Sequence, residues 1–213
     1  VVDTWVVGRF VGAGALAGVG SSFTLMTFLT SILLGLCMGS GVVMSQLYGQ
    51  GDREGLRRAM GNAFVGIALA ALALAAAAFA LLDSLMVWMR VPAEAVEDLR
   101  CYLQIIFWGI GFTFLYNFFA TALRSVGNSA AALWFLLCAA VMNIALDLWF
   151  VTGLGWGVEG AALATVIAQA ASAAGIVGYS LLKMGDLRPG IRHLRPDGPL
   201  IRRIAVVSVL TGA

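Results

Sequence analysis

Asn143 and Asp147 lie four residues apart in MNIALDLWF, inside a run that is otherwise almost wholly apolar. At helical spacing they share one face, roughly 6 Å apart along the axis, so both can address one small ligand. The next apolar run, GAALATVIAQ, carries Thr165 and, four residues on, Gln169. A second acid, Asp3, stands in the first apolar stretch. Carboxylate, amide and hydroxyl oxygens suit a hard cation, and a buried carboxyl can instead carry a proton. The residue types do not choose between Na+ and H+. The bland alternative for Asn143, Thr165 and Gln169 is interhelical hydrogen bonding, a common use of such residues in membranes. It does not account for two acids, each of which costs about 2.5 to 3.5 kcal/mol at the centre of a spanning helix.

The elements that would position these groups follow from composition. Of 213 residues, 61% are hydrophobic and 11% charged, against about 45 to 50% and about 25% in soluble domains. Mean hydropathy is +0.95. Apolar runs exceed the ~18 residues that indicate a bilayer span, and no alternating barrel pattern is present. The chain therefore reads as an all-α membrane protein, a six-helix transmembrane bundle followed by the start of a seventh helix.

Gly, Pro and charge clusters place the helices at about 1–11, 20–48, 54–89, 93–124, 129–151 and 158–184, with Pro92 opening the fourth. GAGALAGVG reads as a tight turn between the first two. Residues 185–199 form a basic linker and 200–213 begin another helix. Both ends fall within apolar runs, so the chain is expected to be a fragment.

Ten basic residues (Arg53, Arg57, Arg58, Arg124, Lys183, Arg188, Arg192, Arg195, Arg202, Arg203) fall at alternate connections, against Arg9, Arg90 and Arg100 on the other side. This bias puts the connections after the second, fourth and sixth helices in the cytoplasm. His193, in the linker, reads as solvated. Cys37, Cys101 and Cys138 match no metal spacing and read as small packing residues.

Counting from the outer turn near Gly155, Asp147 and Thr165 come to about the same depth, roughly 12 to 15 Å below it, and Asp3 lies roughly 13 Å below a turn at Gly12. Asp3, Asn143, Asp147 and Thr165 are thus the expected ion or proton site, with Gln169 a secondary candidate. Phe28, Trp108, Phe114 and Tyr116 are candidates for a substrate path, set against the commoner use of such aromatics as packing or interface anchors.

Five stretches, VDTWVVGRFVGAGALAGVG, SQLYGQGDREGLRRAMGNA, ALRSVGNS, NIALDLWF and GVEGAALATVIAQ, resemble in order and spacing the amino-terminal half of a multidrug and toxic compound extrusion (MATE) transporter. The resemblance covers nearly the whole chain. It implies one lobe of a twelve-helix, two-lobed protein with an alternating central cleft. By position it implies that Asp3, Asn143, Asp147 and Thr165 bind a coupling Na+ or H+ in exchange for an organic cation or drug. It implies no other cofactor. Some members carry an amide at Asp147, and the acid here resembles the branch for which proton coupling is proposed. The family's upstream first-helix proline and its second lobe are missing from the stretch given, so the missing carboxy-terminal lobe is an expected partner and this chain is not expected to transport alone.

A lipid-linked saccharide flippase of the same superfamily is the alternative, but it would call for cationic residues in the cavity, and no Lys or Arg lies firmly mid-span. An intramembrane enzyme lacks support in the motifs: there is no HExxH and no Ser and His pair within spans. Nothing suggests nucleic acid. The expected location is a bacterial inner membrane.

Overall fold

The computed structural model describes residues 9, 13–88, 96–185, 190, 193 and 197–212. Among these, all regular structure is helical: α1 (Ala13–Gly49), α2 (Arg53–Ala80), α3 (Leu82–Trp88), α4 (Val96–Ser125), α5 (Ser129–Asp147), a π-helical turn (Leu148–Gly153), α6 (Gly157–Lys183) and α7 (Gly198–Gly212). Five of these segments are long and apolar enough to cross a bilayer. The expected first helix, 1–11, lies almost wholly outside the described residues.

Two boundaries differ from the sequence reading. The stretch from Ala13 to Gly20 is helical and continuous with α1 rather than a turn. In lipid a helix satisfies its own backbone, so small residues that would break a soluble helix are tolerated. The expected helix 54–89 is broken at Leu81, whose N–H closes α2 on Ala77 O at 2.9 Å. Asp83 then stands in the first turn of α3, favourable at a positive helix terminus, and pairs with Arg100 of α4 at 2.6 Å.

Starts are set by local caps. The Asp52 carboxylate accepts from Gly55 N at 2.8 Å to open α2, and Asn128 Oδ1 accepts from Ala131 N at 3.3 Å to open α5. Each satisfies a donor that the first helical turn leaves without an intrahelical partner.

α4 is the centre of the bundle, packed against α6, α1 and α2. Leu99, Leu103, Phe107 and Leu123 are buried there with Leu33, Cys37 and Met44 of α1, Leu56 of α2 and Ile176 of α6. Facing Phe107 and Phe114 across the α2–α4 contact, Phe79 and Phe64 make ring pairs at 5.5 and 5.4 Å.

His193 departs from the solvated expectation. The chain turns back at this point (His193 N to Gly190 O, 2.9 Å) and brings the imidazole to Glu54 of α2, with Nε2 3.0 Å from Oε1. Cys101 donates to Glu159 Oε1 at 3.2 Å, joining the starts of α4 and α6.

Candidate ion-binding site

α5 is built inside out relative to a soluble helix. Leu133, Trp134, Leu136, Leu137 and Val141 are exposed, as lipid-facing side chains are. The residues it buries are Ala131, Ala132 and Asp147, the last with 0% exposure. A carboxylate withdrawn from both lipid and water is costly unless other groups compensate it, so its retention marks a functional interior position.

One turn earlier on the same face, Asn143 Nδ2 donates to Thr165 Oγ1 of α6 at 3.2 Å. The Thr165 hydroxyl in turn donates to Ala161 O, one turn back, at 3.1 Å. Its single proton is thereby committed and its lone pair receives the amide. The Asn143 carbonyl oxygen takes no part in this exchange and can serve a ligand. The Asn143–Thr165 bond joins α5 to α6 at this level, and Asp147 follows one turn, about 6 Å along α5, nearer the connection.

At Asp147 α5 passes into the π-helical turn, a widening that recurs at functional sites. Phe150 and Val151 of that turn are buried, and Gly160 permits the close approach of α6. A Cβ at Gly160 would stand 3.0 Å from Phe150 Cβ and 3.1 Å from Trp156 Cβ.

Gln169 is held from the other side. Thr113 of α4 lies 2.9 Å from its Oε1 and 3.2 Å from Gly109 O, and Asn117 Nδ2 donates to Thr113 O at 2.8 Å. Thr165 and Gln169 both border a cavity of about 300 Å³ between α6, α4 and α1, whose other polar walls are Tyr102 and the hydroxyls of Thr27, Thr30 and Ser31. The i, i+3, i+4 spacing of those hydroxyls in TFLTS was the available signal. Thr113 and Tyr102 had none beyond their polarity.

Asp3 lies outside the described residues. The four aromatic candidates do not share one wall. Phe28 is exposed on α1. Tyr116 donates its hydroxyl to Ala132 O at 3.0 Å and so ties α4 to α5. Trp108, 76% exposed, and the buried Phe114 border a separate apolar groove against α2.

Comparisons with known proteins agree with this architecture. The MatE family profile matches residues 1–149. The chain is 35% identical over 170 residues to the probable multidrug resistance protein YpnP of Bacillus subtilis (strain 168), covering 79% of this chain and 38% of that one. To the probable multidrug resistance protein YoeA of the same organism it is 31% identical over 176 residues, covering 81% and 38%. It therefore spans about two fifths of the length of these relatives. The fold matches a crystal structure of MATE in the bent conformation with a TM-score of 0.92 at 23% identity, covering 99% of this chain and 47% of that one. With matching helices over half of such a structure and the family profile over residues 1–149, this chain belongs to the MatE family.

Proposed function

We propose that the chain supplies the coupling-ion lobe of a secondary antiporter that exports organic cations or drugs in exchange for Na+ or H+. The observation that carries this reading is Asp147, wholly buried on a helix that otherwise turns large apolar side chains to lipid. It stands one turn from the Asn143–Thr165 bond. The names of the relatives, probable multidrug resistance proteins, support the substrate class.

In this mechanism a cation or proton arriving at Asp147 cancels its charge, with the Asn143 carbonyl and Asp3 as further oxygen ligands. Charge cancellation removes the attraction for a cationic substrate and changes which packing of α5 against α6 is preferred. Coupling of this kind requires differential affinity between two conformations of the lobe. The cavity wall described above sets hydroxyls, a phenol and an amide among the apolar Phe23, Met26, Leu34 and Ile106, without Lys or Arg, and suits a cationic or neutral amphipathic molecule. An anionic saccharide headgroup would find no cationic partner among the residues described there.

The membrane is proposed to be a bacterial inner membrane, with residues 50–52, 126–128 and 184–197 on the cytoplasmic side. The basic bias supports this sidedness, and His193 meeting Glu54 puts the first and third of these connections at the same end of the bundle. Asp147→Asn in the full-length protein tests the coupling role: the protein should insert and fold but lose gradient-driven efflux. Unchanged efflux would remove Asp147 from the mechanism.

A further inference from the structure

The basic end of the bundle contains a polar junction that joins α2 to the beginning of α7. Asn62 is only 5% exposed, nine residues beyond the start of α2 at Arg53. Its Nδ2 donates to Arg58 O at 3.0 Å and to His193 O at 3.3 Å, and its Oδ1 accepts from Asp197 N at 2.9 Å. The orientation of the amide is fixed by its neighbours, because both carbonyls can only accept and the backbone N–H can only donate.

The imidazole of His193 is fixed in the same way. Gly190 N donates to its Nδ1 at 2.8 Å, so Nδ1 is the acceptor nitrogen and Nε2 carries the proton given to Glu54. Asp197, held by Asn62 through its N–H, is also the residue that opens α7. Its carboxylate accepts from Leu200 N at 3.3 Å and its carbonyl from Ile201 N at 2.8 Å.

Farther along, α7 is registered on α1. Arg203 Nη2 donates to Gln46 Oε1 at 2.7 Å. Ser208 lies so close to Gly39 that a Cβ there would stand 2.3 Å from the Ser208 Cα. The contacts at Asn62 and Glu54 thus fix where α7 starts, and the contacts at Gln46 and Gly39 fix how it lies.

We propose that the carboxamide of Asn62, with the carboxylate of Glu54, is a latch that holds the inter-lobe connection on α2 and sets the position of α7 during the transport cycle. Asn62 and Glu54 are positioning residues in this scheme; neither touches ion or substrate. The inference rests on the two-lobe reading above.

Two variants of the full-length protein test it. Asn62→Leu removes all three side-chain bonds, and Glu54→Ala, at an exposed position, removes the imidazole contact together with the 3.9 Å surface pairs to Arg57 and Arg58, which contribute little to stability. Amide exchange over 190–201 should accelerate about five- to tenfold in Asn62→Leu, the effect of losing one or two hydrogen bonds of ordinary net strength. In Glu54→Ala a smaller acceleration should be confined to 190–193. In vesicles both should lower the saturating efflux rate per folded transporter, counted by the fraction that binds substrate, with the substrate KM unchanged; loss of folded protein would lower the total rate but not this normalised one. Unchanged exchange in both variants overturns the latch. Faster exchange with unaltered efflux overturns its part in transport while leaving the antiporter reading intact. If the parent protein shows no efflux at all, the antiporter reading fails, and the exchange measurement still decides whether the contacts hold the connection.

Discussion

At the scale of single residues, the chemistry of the site is a division of labour between a hydroxyl, an amide and an acid. Thr165 spends its proton on Ala161 O and its lone pair on Asn143, which orients the amide and leaves its carbonyl available. Thr165→Val should therefore lower stability by about 1 kcal/mol, in the range of interhelical hydrogen bonds in membranes, as read from thermal unfolding in detergent. It should also raise several-fold the ion concentration needed for half-maximal efflux. Thr165→Ser, which keeps the hydroxyl, should restore most of both. Asn143, Asp147 and Thr165 were legible because polar groups in an apolar run stand out, and because i, i+4 spacing fixes a face. Gln169 was legible for the same reason, but its partner Thr113 was not, since a helical hydroxyl can as easily bond its own preceding turn.

At the scale of elements, the π-helical turn and the start of α6 determine where the acid sits. The contact depends on Gly160, so Gly160→Val should force Phe150 and Trp156 apart. The expected cost is about 1 to 3 kcal/mol, typical of overpacking, measured as a lowered unfolding temperature. Gly66→Ala is the control, since a Cβ there meets nothing within 4 Å, and it should leave the transition unchanged or slightly raised by the better helix propensity of Ala. Helix number and approximate limits were readable from apolar length and punctuation. The continuous start of α1 was not, because Gly and Ala signal turns in water and close helix packing in lipid. Nor was the break at Leu81, where an alanine-rich run carries no Pro or Gly to mark it. The π-helical turn that ends α5 was not readable either, because nothing in LWFVTG marks the wider winding.

At the scale of the whole molecule, the basic end and the opposite end should face different compartments. With the native cysteines replaced, Gln50→Cys and Gly185→Cys should react with a membrane-impermeant maleimide only from the cytoplasmic side, and Leu154→Cys only from the outside. All three reacting from one side would invert or abolish the proposed topology. The bias in Lys and Arg made this orientation readable from sequence. The docking of the linker was not readable, because His193 and Glu54 are 139 residues apart in the chain and nothing local marks either as the other's partner. The same holds for Asn62, an unremarkable amide until the backbone of residues 193 and 197 is seen against it.

The central claim is that Asp147 couples an ion gradient to export. Its most direct test is substrate efflux from vesicles containing the full-length protein, with imposed pH and Na+ gradients varied separately, for the parent and Asp147→Asn. The account predicts that the parent responds to at least one gradient and that Asp147→Asn binds substrate but responds to neither. Equal gradient-driven efflux by both proteins would contradict it.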